Sequence, residues 1–319
     1  MRFSFYRSLV VIIAVSMIQG LWGCASNSTV QNQFNMSEYK KLLERQKQRA
    51  AAATAPEEQA KIPEIGPEGY EGLGDNYLRQ GNLDMAYVQY IKALSKKPDQ
   101  ISLRYKIGLL FLKRGLPEDA KREFQEILKN NPDDAPANEG TGRAFFMLGD
   151  LENAEKSLNQ AIAMNDTLWH AHNLLGIIYN RQGRPDDAIL EFKRALAIQP
   201  DHGELFNNIG MSYLLKGEYQ KAANAFNESI RKGTRHPRVY NNLALAYSKL
   251  GRYHESLESF KKSGNEASAY NNIGQIYMVE GKYREAIDAF EKAIEMNPRF
   301  YVKANENLKR AKAFTDKEN

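Results

Sequence analysis

Residues 169–202 read WHAHNLLGIIYNRQGRPDDAILEFKRALAIQPDH, and their pattern recurs along most of the chain. Gly183 has counterparts at Gly81, Gly115, Gly149, Gly217, Gly251 and Gly281. The first five gaps are 34 residues and the last is 30. Seven places before each stands Gly74, Gly108, Gly142, Gly176, Gly210, Ala244 or Gly274. Four places before is an aromatic: Tyr77, Phe111, Phe145, Tyr179, Tyr213, Tyr247, Tyr277. Five places after comes Ala86, Ala120, Ala154, Ala188, Ala222, Ser256 or Ala286, and nine after, Tyr90, Phe124, Leu158, Phe192, Phe226, Phe260 or Phe290. Four units close with Pro98, Pro132, Pro200 or Pro298.

Self-similarity at this period means stacked supersecondary units. The glycine falls where a first helix must stop, because it takes the left-handed conformation cheaply. The small residues on either side let two helices approach closely. The large residue fills the space between neighbouring hairpins, since one hairpin cannot bury its own apolar face. The prolines end the second helix, and Asp99, Asp133 and Asp201 follow as expected caps of the next one.

This pattern resembles the tetratricopeptide repeat (TPR) at nearly every signature position over about residues 67–300. The resemblance implies an all-α fold, a TPR α-solenoid in which helix-turn-helix repeats wind into a right-handed superhelix. The seven units are 67–100, 101–134, 135–168, 169–202, 203–236, 237–266 and 267–300, with a capping helix and tail over 301–319. The sixth unit is four residues short, about one helical turn. Gly264 and Asn265 are expected to end its second helix early. A tolerated deletion and a local change of twist that shapes a site between units six and seven are both open readings.

The N-terminal residues have a different character. Arg2 and Arg7 precede an apolar run from Leu9 to Ile18, which Gln19 and Gly20 interrupt. That is a secretion signal in pattern and too short for a span, which needs roughly 20 apolar residues. Leu21-Trp22-Gly23-Cys24 resembles the bacterial lipobox, with Trp22 where a small residue is usual. Cys24 is the only cysteine, so no disulfide can form within the chain, and the resemblance makes it the lipidation site of a signal peptide spanning 1–23. Residues 24–66 read as a tether and a lone helix that Ser37 would cap. Ala25 in place of aspartate leans toward an outer-membrane lipoprotein facing the periplasm, by the same resemblance.

With 44 basic and 39 acidic residues the charge is +5, or +3 once Arg2 and Arg7 are cleaved off. The excess is spread along the helices, whereas nucleic-acid binders concentrate it in a stripe. No nucleic acid is expected as a partner. In TPR proteins the first helix of each hairpin lines a concave groove. That stripe carries Asn173, the pair Asn207 and Asn208, the pair Asn241 and Asn242, and the pair Asn271 and Asn272. An amide donates and accepts together, so such a column can hold an extended peptide by its backbone. It is similar to the asparagine ladder of O-linked N-acetylglucosamine transferases, without their catalytic domain. The alternative is that these amides are solvated or paired with one another. Leu109, Leu112, Ile177, Met211, Leu214, Leu245 and Met278 lie beside them, read either as packing or as an apolar strip for an amphipathic peptide. Glu68, Glu71, Asp75 and Glu139 give the first three units an acidic opening.

His170 and His172, two residues apart on a helix, point to different sides and make a poor metal pair. No HExxH, P-loop, dinucleotide fingerprint or Gly-x-Ser-x-Gly elbow occurs, so no catalytic residue, metal or cofactor is expected. The combination is similar to the pilotin and assembly lipoproteins of type IV or Tad pili. That resemblance implies a membrane-anchored scaffold for a protein or peptide of the cell envelope, with self-association left open. Two other readings fit the same residues: a scaffold for polysaccharide export or cell-wall machinery, and a non-catalytic regulatory subunit of a separate envelope enzyme.

Overall fold

A computed structural model describes residues 65–296 and 301–318; the signal segment, Cys24, the tether and Pro298 lie outside the described residues. The compact repeat body runs from Tyr70 to Asn319. Among the described residues all regular structure is helical, in fifteen helices. They are α1 (Pro67–Arg79), α2 (Leu83–Lys96), α3 (Ile101–Lys113), α4 (Pro117–Asn130), α5 (Ala135–Leu148) and α6 (Leu151–Met164). There follow α7 (Trp169–Arg181), α8 (Pro185–Ile198), α9 (Gly203–Lys216), α10 (Tyr219–Arg231) and α11 (Pro237–Lys249). The last four are α12 (Tyr253–Ser263), α13 (Glu266–Val279), α14 (Tyr283–Met296) and α15 (Tyr301–Glu318). Consecutive helices from α2 onward pack on one another, and first helices also touch across repeats, as in α3 with α5, α7 with α9, α9 with α11 and α13 with α15.

Each hairpin turns on its glycine. Gly183 has φ +75°, and the other six lie between +73° and +82°. The residue after the glycine donates its N–H to the aromatic carbonyl five places back, as in Arg184 to Tyr179 at 2.8 Å. Gly183 itself donates to Asn180 at 3.2 Å. This pair of bonds is the Schellman closure, which satisfies carbonyls that a helix end leaves orphaned.

The second glycine of each unit has a different task. A Cβ at Gly210 would stand 2.5 Å from the Phe226 ring, and one at Gly176 2.5 Å from Phe192. Phe124 is held on two sides, with Gly108 at 2.6 Å and Gly140 of the next unit at 2.5 Å by the same construction. The aromatic therefore lies on bare backbone and is fully buried. In the third unit Leu158 takes this place against Gly142, and Thr141 bonds the Ala137 carbonyl at 2.8 Å.

Asp99, Asp133 and Asp201 do not cap the helices that follow them. The N-cap residues are Gln100, Asp134 and His202. Only Asp134 of these accepts a backbone N–H, from Ala137 at 2.9 Å. The boundary falls one residue later than the sequence reading places it, and Asp201 pairs with Lys232 instead. The sixth unit does end its second helix early. Helix α12 stops at Ser263, and Asn265 caps α13 by accepting the Ser268 N–H at 2.8 Å.

Truncating Phe226 to Ala is expected to destabilise the array by about 3–5 kcal/mol. Gly210→Ala, which drives a methyl into the same ring, should cost about 1–3 kcal/mol. Urea titrations followed by circular dichroism check both, and a neutral Gly210→Ala would remove the close-packing argument.

Candidate functional site

The asparagines sit on the first helices α7, α9, α11 and α13. Asn207, Asn242 and Asn271 are buried at 8%, 1% and 2% exposure, while Asn173, Asn208, Asn241 and Asn272 are half-buried. They are bonded to one another across repeats. Asn208 donates to Asn173 Oδ1 at 2.9 Å, and Asn242 donates to Asn207 Oδ1 at 3.0 Å. A longer contact of 3.4 Å takes the Asn207 amide to Asn208 Oδ1. The four therefore form one head-to-tail chain that runs from Asn242 through Asn207 and Asn208 to Asn173. Aligned amides polarise one another, which strengthens such a chain.

A second, shorter chain begins on the last helix. Asn307 of α15 donates to Asn271 Oδ1 at 3.1 Å, and Asn271 reaches Asn272 Oδ1 at 3.5 Å. Between the two chains lies the junction of units six and seven. There the carbonyl oxygens of Asn241 and Asn242 are buried with no hydrogen-bond partner among the described residues. At the junction of units four and five, Asn180 donates to Ser212 Oγ at 2.8 Å, and its own side-chain carbonyl oxygen is likewise without a partner among the described residues. The sequence reading missed Asn180, Ser212 and Asn307, because they stand outside the paired-asparagine register.

Of the apolar residues named for the groove, Met211 is buried, and Leu214, Leu245 and Met278 are half-buried. Leu112 belongs to a core cluster, so it serves packing. Exposed apolar side chains lie near the ends of the same first helices: Met147 and Leu148 on α5, Leu215 on α9, Val279 on α13. Their spacing from each hairpin glycine was the available signal.

The acidic opening is not a free anionic patch. Lys106 Nζ lies 2.8 Å from Glu71 Oε1 and 2.8 Å from Asp75 Oδ2. Asp75 also accepts the Tyr90 hydroxyl at 2.7 Å. Burial works against ionising Asp75, but these bonds prevail and hold its carboxyl below the ordinary aspartate value. Glu139 is the opposite case. Burial raises its carboxyl pKa, and Arg143 opposes that only through its charge. His172 is buried between Glu191 at 2.7 Å and the Asp166 carbonyl at 3.0 Å, while His170 is exposed on another side of α7. Among the described residues no group of three or more His, Cys, Asp or Glu gathers as a metal site. No described helix is long and apolar enough to cross a membrane.

Paired helices closed on glycine and stacked on aromatics define a tetratricopeptide-repeat solenoid. The tetratricopeptide repeat pattern itself matches residues 267–300. The family described as the cilia and flagella-associated protein 70 C-terminal domain matches residues 30–270, more than half of the chain, and the chain belongs to that family. No curated protein matches it. Among solved structures it is similar to a tetratricopeptide repeat protein from Parabacteroides merdae, at 20% identity over 77% of this chain and 98% of that one, TM-score 0.54. It is also similar to the APC/C hetero-tetramer Cut9-Hcn1, at 20% identity over 79% and 50% of the chains, TM-score 0.55. PilF of Pseudomonas aeruginosa aligns at 20% identity over 67% and 96%, TM-score 0.52. At this identity the likenesses show the fold alone.

Two outcomes follow from the buried groups. Asn242→Ala leaves Asn207 Oδ1 without its donor and should cost about 1–3 kcal/mol in urea unfolding. Glu139→Gln should raise the melting temperature at pH 7, because the ionised carboxyl is penalised by burial. The carboxyl is protonated more readily folded than unfolded, so the gain should shrink as pH falls through its raised pKa. It should vanish below the ordinary value of 4.5, where both states hold the proton. A gain that persisted at low pH would locate the effect elsewhere.

Proposed function

We propose that this chain is a non-catalytic scaffold, held at a membrane by lipid on Cys24, that binds an extended protein segment along its first-helix layer. The observation that carries the reading is the amide row on α7, α9, α11 and α13 with half-buried Leu214, Leu245 and Met278 beside it. Hydrogen-bonding amides next to apolar side chains suit a peptide that offers its backbone to one and its side chains to the other. TPR proteins bind protein partners, and the fold is consistent with that role. Much of the amide capacity is spent on cross-repeat bonds, so the partner meets a prearranged row and loses little in ordering it.

The envelope setting rests on the lipobox-like Leu21-Trp22-Gly23-Cys24 after a short apolar run. An outer-membrane position and a role in pilus or secretin assembly rest on that lipobox combined with repeats. The likeness to PilF is one of fold and adds no partner. Asn173, Asn208 and Asn272 would contact the segment together with the three apolar residues above.

A photo-reactive residue at Asn208 in the native host, followed by mass spectrometry, should give one dominant envelope-protein product. Only self-crosslinks, or none, would count against the groove. In parallel, Cys24→Ser should move the protein from the membrane to the soluble fraction, and retention in the membrane would end the lipid-anchor reading.

A further inference from the structure

The rungs between first helices share one register. A residue nine places before a hairpin glycine donates to the residue ten places before the preceding one, as Asn208 does to Asn173 at 2.9 Å and Asn242 to Asn207 at 3.0 Å. Lys106 and Glu71 make the same rung with opposite charges, Nζ to Oε1 at 2.8 Å. Glu139 holds the acceptor place of the third unit. The donor place that faces it in the fourth unit is taken by Leu174, whose side chain packs on a core cluster. Glu139 therefore lacks the donor that its counterpart Glu71 has. It makes no hydrogen bond or ion pair among the described residues and is only 6% exposed.

The groups around this carboxylate are unbonded too. Arg143, one turn further along α5, acts on Glu139 through its charge and not through a hydrogen bond. The Tyr105 hydroxyl of α3 is raised in pKa by burial first and next by the Glu139 charge, with Arg143 opposing, so the three side chains share one neighbourhood. Neither Tyr105 nor Arg143 has a described hydrogen bond. Side-chain atoms both sealed from solvent and unpartnered lie elsewhere, as at Asn180, Asn241 and Asn242, and no oxygen of Glu139 is one of them. The carboxylate is thus recessed yet open to the first-helix layer. A recessed carboxylate without a partner costs stability, and such groups concentrate at sites of function.

We propose that Glu139 and Arg143 form a two-point charge site for a lysine and an acidic side chain two residues apart in the bound segment, the lysine ammonium donating to Glu139 and the acidic side chain accepting from Arg143. This rests on the groove reading above and specifies the partner's charges. The first rung supplies the template for the lysine: Lys106 Nζ meets Glu71 and Asp75 at 2.8 Å each. In the third unit the places of Glu71 and Asp75 hold Glu139 and Arg143, so a second charge of opposite sign is needed beside the ammonium. A lone cation would be repelled by Arg143, and a lone anion by Glu139. Spacing sets the separation. Side chains one helical turn apart stand roughly 5–6 Å apart at Cβ, and alternate side chains of an extended segment share a face at roughly 6–7 Å. Adjacent residues of such a segment point to opposite faces and could not engage both groups.

The test uses the full-length chain in detergent with carbon-13 in its glutamate carboxyls, observed by NMR at low salt. The Glu139 signal is the one that Glu139→Gln removes. The probes are acetyl-Gly-Lys-Gly-Glu-Gly-amide, the same peptide with Gln for Lys, and acetyl-Gly-Lys-Gly-Gly-Glu-amide with its charges three apart. The first should shift the Glu139 signal. The glutamine probe and the three-apart probe should each bind about tenfold more weakly, as the loss of one charged hydrogen bond implies. Glu139→Gln should abolish the preference for lysine over glutamine. Arg143→Gln, at a half-buried site, should weaken the first probe about tenfold while that preference survives. Equal binding of the lysine and glutamine probes, a preference that outlives Glu139→Gln, or no shift at the highest soluble probe concentration would each overturn the site. A dominant crosslink at Asn208 would survive any of these, so the groove and its charge site fail separately.

Discussion

The contact on which the rest depends is a large side chain laid on a glycine. Phe192 over Gly176, Phe226 over Gly210 and Phe290 over Gly274 bring the two helices of a hairpin together at a distance no Cβ permits. Because each ring is buried wholly, its position fixes which face of the first helix turns toward its partner. Asn208, Asn242 and Asn272 fall on the face turned away from that contact, and Asn207, Asn241 and Asn271 lie beside it.

The cross-repeat amide chain is a consequence of repetition. An asparagine at one helical position meets an asparagine one unit away only if both repeats have the same length and the same crossing. Units four, five and six satisfy this, and rungs of 2.9 Å and 3.0 Å result. Unit six then departs in length, and the rung that follows it is missing.

The first units obey the same packing rule with other polar chemistry. Where later units place amides, Glu71 and Asp75 share Lys106, and Glu139 is buried beside Arg143. The inner layer thus changes along its length from ion pairs to amides.

The sequence alone determined the repeat length, the helix pairs and the hairpin glycines, because each follows from a local residue type at a fixed spacing; the large residues it set between hairpins lie on the glycine of their own hairpin. It also located the short sixth unit and marked Asn173 to Asn272 as a row. It misplaced the caps, since Asp99, Asp133 and Asp201 look as suitable as Gln100, Asp134 and His202 until backbone angles choose the boundary. Which amides are buried, which way each donor points, and that Lys106 neutralises the acidic opening were decided only by tertiary structure. The physical reason is distance: Lys106 and Asp75 stand 31 residues apart, and Asn242 and Asn207 stand 35 apart. Such pairs meet only after the hairpins have stacked.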